Sequence, residues 1–129
     1  MANQLYPKGK KKILDADIDL LVDDIRCVLI DTADETYNAA DEWHSDITGA
    51  GIVATSANLT GKTTVDGTFD ADNVVLTAVT GDSAEAIIFY KWTGTSGTSP
   101  LIGWMDISAY TPSGLDAIVA WHANGLFKI

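Results

Sequence analysis

The chain has 129 residues, 47% of them hydrophobic and 20% charged, with a formal charge of −10. That balance suits one globular domain, able to bury about two-thirds of its unfolded surface, and excludes a disordered acidic tail. The acid excess repels phosphate backbones and anionic headgroups, so neither nucleic acid nor a membrane is an expected partner.

Residues 1–12, MANQLYPKGKKK, hold four of the eight basic residues, Lys8, Lys10, Lys11 and Lys12, with no acid among them. The segment carries +4 and leaves −14 for residues 13–129. A Pro, a Gly and little apolar periodicity predict an extended basic N-terminal arm, 1–12, ahead of a single domain, 13–129. Ile13-Leu14 is followed by Asp15, Asp17 and Asp19 where the apolar stretch of a secretory signal would run, so synthesis in the cytoplasm is expected. Ile13 to Val22 reads as a short helix or turn followed by an apolar patch.

Ile25-Arg26-Cys27-Val28-Leu29-Ile30 is β-branched and strand-sized, a buried strand with the thiol packed inside. Cys27 is the only cysteine, which rules out an intramolecular disulfide and a CxxC site. Residues 38–47 place Ala39, Trp43 and Ile47 four apart, and with Asn38 as N-cap they predict a short helix. Beyond Gly51 the turn signals recur about every ten residues. They separate short strands near 52–60, 63–69, 73–79, 84–92, 100–107, 115–121 and 125–129. In 84–92 the residues Ala84, Ala86, Ile88, Tyr90 and Trp92 share one face, and in 115–121 Leu115, Ala117, Val119 and Trp121 do. Asn124-Gly125 predicts a tight turn closing a terminal hairpin from Ala120 to Ile129. The fold class is therefore mainly β: an antiparallel sandwich or jelly-roll-like domain with one or two short helices and the arm.

No catalytic, cofactor or metal constellation emerges. Asp15, Asp17 and Asp19 start like a calcium loop, but Leu20 and Arg26 stand where Gly and Glu are needed. Asp66, Asp70, Asp72 and Asn73 suit a hard cation and equally suit β-turns. Gly61-Lys62-Thr63 lacks the earlier glycine and the following helix of a phosphate loop. His44 and His122 are the only histidines, and no serine has the Gly-x-Ser-x-Gly setting, so no enzyme is expected. Of the four tryptophans, Trp43, Trp92 and Trp121 read as core. Trp104 and its neighbour Met105 read as contact residues, since aromatics and Met anchor interfaces.

Three blocks resemble small virion proteins of tailed bacteriophages: Ala86-Ile87-Ile88-Phe89-Tyr90-Lys91-Trp92-Thr93-Gly94, Ser99-Pro100-Leu101-Ile102-Gly103-Trp104-Met105-Asp106, and the closing Ala120-Trp121-His122-Ala123-Asn124-Gly125-Leu126-Phe127-Lys128-Ile129. The resemblance implies a capsid decoration, or cement, protein on the virion surface, with the major capsid protein as partner and a homo-oligomer such as a trimer as its form. Lys8, Lys10, Lys11 and Lys12 would then dock the arm on coat acids, and Trp104 and Met105 would join protomers. The alternative is a tail or fibre component that binds a host receptor through loops 93–99 and 108–114.

Overall fold

The computed structural model describes residues 3–129. In chain order it has Gln4–Leu5 (β1), the helix Pro7–Leu14 (α1), Ile25–Ile30 (β2), Ile52–Thr55 (β3), Thr68–Phe69 (β4) and Val74–Leu76 (β5), followed by Ala84–Lys91 (β6), Leu101–Tyr110 (β7), Ala117–Val119 (β8) and Phe127–Lys128 (β9). Five strands form one sheet in the order β1-β7-β6-β2-β3, and β4-β9 and β5-β8 are two-stranded sheets. Every pairing is antiparallel. The protein is mainly β, as its turn rhythm predicts.

Both faces of the five-stranded sheet are covered, which is why β2 is apolar almost throughout rather than alternating. On one face Ile25, Cys27, Leu29, Ile87, Phe89 and Ile102 meet a second layer, made by Phe69, Leu76, Ala117 and Leu126 of the small sheets and their flanks. This two-layer packing makes the domain sandwich-like. On the other face Val28, Ile30, Ala86, Ile88, Tyr90, Leu101 and Trp104 are sealed by Tyr6 and Ile47.

The predicted alternation of 84–92 holds from Ala86 to Trp92. Ala84 instead joins the opposite core, because the β6–β7 register shifts between Ala84 and Ala86. A second shift has a larger consequence. Phe89 pairs with Gly103 and Tyr90 with Leu101, leaving Ile102 as the extra residue of a bulge. The strand's facing changes there, so Ile102 enters one core while Leu101 and Trp104 both enter the other.

The described part of 1–12 is not an extended arm. Gln4 and Leu5 pair with Trp104 and Gly103 of β7, and Tyr6 is 0% exposed. Pro7 opens α1 at its first turn, where the missing N–H costs nothing, and Lys11 and Lys12 sit in the last turn, the favourable end of the helix dipole for cations. Lysines are good helix formers, so this run needed only a surface to lie on. Gly9 supplies the fit: a Cβ there would come within 2.3 Å of the Leu101 carbonyl oxygen.

Two further expectations are corrected. Residues 38–47 form no α-helix; only His44–Asp46 makes a 3-10 turn. Side chains capture the backbone instead, with Asn38 Oδ1 accepting the Ala40 N–H at 3.0 Å and Asp46 Oδ2 those of Glu42 and Trp43 at 2.9 and 2.8 Å. Glu42 O then accepts from Leu101 N, and Trp43 forms a bridge with Pro100. The chain end is not a hairpin either. β9 pairs with β4 and β8 with β5, and the segment between them turns at His122–Gly125, where only the glycine has positive φ.

Candidate functional site

The basic cluster is largely consumed inside the fold. Lys12 Nζ lies 2.7 Å from Glu42 Oε2 and 4.6 Å from the centre of the Trp43 ring. Lys8 Nζ donates to the Ala40 carbonyl at 3.0 Å and lies 3.8 Å from Glu42 Oε1, while Lys11 pairs with Asp15 one helical turn on. The Lys12 hydrogen bond holds the Glu42 carboxyl below its usual range. Together these contacts fasten α1 to residues 40–43. Lys10 alone of the four has no partner among the described residues.

Trp104, expected at a partner interface, is 3% exposed, and its indole N–H donates to Asp106 Oδ1 at 2.8 Å. It packs under Tyr37, ring centres 6.2 Å apart, so it supports the core and is not an exposed anchor. Met105 is half-buried against the opposite core. The bulge at Ile102 decides this division, and nothing in residue composition signals a bulge.

Cys27 is fully buried, its thiol pushed up to about 11 by burial. Its backbone N–H donates to Ser56 Oγ at 2.9 Å. His44 stacks on Tyr90 at 4.6 Å and shares a 2.7 Å hydrogen bond with Ser96 Oγ, while burial lowers its pKa. That bond ties the 93–99 loop to the body, and Thr93, Thr95 and Ser99 bond one another within it. Of the other receptor-loop candidate, residues 108–110 belong to β7.

Asp66, Asp70 and Asp72 do not converge. Asp70 Oδ1 accepts from Ala71 N, and Asp72 Oδ2 lies 3.2 Å from Thr60 Oγ1. Three other carboxylates, of Asp31, Asp34 and Asp82, approach within 4.8 Å of one another, with Asp31 Oδ1 accepting from Ala33 N at 2.9 Å.

A groove of about 550 Å³ lies between α1, β1 and the last strand. Leu5, Phe89, Leu126 and Phe127 are among its apolar walls, Leu14 and Ile129 stand at it exposed, and Lys10 and Lys128 line it. A second groove, of about 390 Å³, shares Phe127 and Ile129 and adds Ile18 and Leu21. Sequence reading picked out Lys10 but missed Leu14, Lys128 and Ile129 as members of one surface. The partnering of β9 with β4 joins them, and a terminal hairpin would not. No protein-family model and no curated protein matches the chain.

Proposed function

We propose that this chain is a capsid decoration protein of a tailed bacteriophage, seated on the outer coat surface and bridging neighbouring coat subunits. The supporting observation is what remains outside once both cores are closed. Bulky aliphatic side chains stand exposed in four places: Leu14 and Ile129 at the groove beside α1, Leu21 and Val22 on the 19–23 turn, Val65 ahead of β4, and Val75, Leu115 and Ile118 around β5–β8. An element that bridges subunits needs several apolar contact patches on a rigid body, and many copies then add area at the seams of a shell. The block resemblance to small virion proteins points the same way. Attachment through a free lysine arm is replaced in this reading by attachment through faces of the folded body, because Lys8, Lys11 and Lys12 are already paired.

The test is co-sedimentation of the purified chain with empty coat shells of the phage that encodes it, followed by imaging of the decorated shells. Saturable binding at regular sites on the outer surface is expected. Absence from shells, or recovery with tails alone, overturns the proposal, and the latter outcome selects the receptor-binding alternative.

A further inference from the structure

Two surfaces of this chain complement each other. The first is the groove between α1, β1 and the last strand, apolar inside, with Lys10 and Lys128 in its lining and no Asp or Glu side chain there. The neighbouring grooves by contrast carry Asp19, Asp70, or Glu85 and Asp106. Among the described residues every other cation is engaged: Lys8 and Lys12 with Glu42, Lys11 with Asp15, Arg26 with Asp24, Lys91 with Asp23, and Lys62 with the Asp23 carbonyl and Asn58. In a chain of charge −10, the two unpartnered cations therefore sit together beside an apolar cavity.

The second surface is the outer face of the β5–β8 ribbon. Val75 and Ile118 are direct cross-strand partners and are 58% and 69% exposed, and Leu115, three residues before Ile118 in the chain, is 70% exposed. Asp116, next to Leu115, is exposed too, with Oδ1 accepting the Ala78 N–H at 2.9 Å and Oδ2 bonded to no described residue. An aliphatic cross-strand pair on a short ribbon is a face that sheets ordinarily cover or charge.

We infer that this ribbon of one copy docks in the groove of another. Val75, Leu115 and Ile118 then meet the apolar walls, and Asp116 meets Lys10 and Lys128. Like-charged copies repel at long range, so a contact between them forms where the charge is locally reversed, and the groove is such a place. Donor and acceptor surfaces are different parts of the molecule, so the contact is head-to-tail, closing into a ring or extending as a chain. It leaves Leu21 and Val22 free for other partners. The inference is independent of the coat-lattice reading: a monomer that decorates shells overturns this one and leaves that one standing.

Sedimentation velocity of the full chain over a range of concentrations tests it. The wild type should form species larger than the monomer, weakened by added salt. Ile118→Glu, and Val75→Glu as a second ribbon variant, should raise the dissociation constant about tenfold or more, as should the pair Lys10→Glu with Lys128→Glu, since each sets like charges or a buried charge at the contact. Thermal melting verifies that each variant is folded. A mixture of a ribbon variant with the lysine variant should form dimers, because one intact ribbon meets one intact groove. A wild type that is monomeric throughout overturns the inference. So does association indifferent to salt and to the lysine changes, as for a symmetric ribbon-to-ribbon dimer, or a mixture of folded variants that stays monomeric.

Discussion

Replacing Gly9 with alanine separates helix propensity from tertiary fit. In an isolated helix the change is favourable by about 1 kcal/mol, because glycine has more conformational freedom to lose. In this fold the new Cβ would lie 2.3 Å from the Leu101 carbonyl oxygen, 3.1 Å from Ile102 Cα and 3.2 Å from Ile102 O. All three are backbone atoms of β7 that no rotamer change can move aside. α1 must withdraw by about 1 Å, and a gap of that size forfeits a quarter to a half of the dispersion energy across the contact. Overpacking of this kind costs about 1–3 kcal/mol, and a rigid backbone obstacle puts it at the upper end. After the propensity gain is subtracted, a net loss of about 2 kcal/mol is expected, a fall in melting temperature of about 6–10 °C for a chain of this length. Gly49→Ala is the control, since nothing lies within 4 Å of its new Cβ. Circular dichroism melts of the two variants and the wild type decide the matter. A Gly9→Ala protein that melts at or above the wild-type temperature refutes the docked helix and restores a loosely held basic arm.

Three other outcomes are expected. Tyr6 is 0% exposed and no described group bonds its hydroxyl, so Tyr6→Phe should be neutral or stabilising by up to ~1 kcal/mol, while Tyr6→Ala should cost ~3–5 kcal/mol; denaturant titration reads both, a Phe variant much weaker than wild type contradicts the unbonded hydroxyl, and an Ala variant as stable as wild type contradicts the burial. Ser56→Ala removes the acceptor of the buried Cys27 N–H and should cost ~1–3 kcal/mol, with thiol labelling of Cys27 negligible in the native protein and rapid on unfolding. Glu42, Asp46 and Glu85 titrate below their usual range, held by the Lys12 ammonium, the Trp43 N–H and the Ser83 hydroxyl respectively. Depressed carboxylates contribute stability that is complete above their unfolded pKa and lost as pH falls through the folded one. Melting temperature should therefore hold from neutral pH to about 4.5 and drop below it. Asp41, raised by burial and by Glu35 and Asp46, acts with the opposite sign and blunts the drop; a steady decline beginning near neutrality would contradict the assignment.

The candidate contact surfaces were only partly legible. Lys10 stood out as one of four lysines, yet what distinguishes it is that the other three find acids or a carbonyl, and those partners lie up to 34 positions away at Glu42. Trp104 looked like an anchor because aromatic residues favour both cores and interfaces, and composition cannot choose between them. Ile118 and Val75 are ordinary members of apolar strands until the pairing of β5 with β8 puts them face to face on the outside.

What the sequence determined by itself is the periodicity of each strand and its stops: Ile25–Ile30 came out at its predicted bounds, and Ala84–Lys91 one residue short of them. β-branched runs between turn residues admit few other local conformations, so a mainly β domain followed. What only tertiary structure decided is everything that depends on a partner distant in the chain. β7 gave the lysine run a surface on which to be a helix, and Pro100 and Leu101 drew Glu42 and Trp43 out of one. The single extra residue at Ile102 put Trp104 in the same core as Leu101. Local propensity differs by about 1 kcal/mol or less per residue, whereas burying one large side chain contributes about 1.5–3 kcal/mol, so where the two conflict the packing prevails.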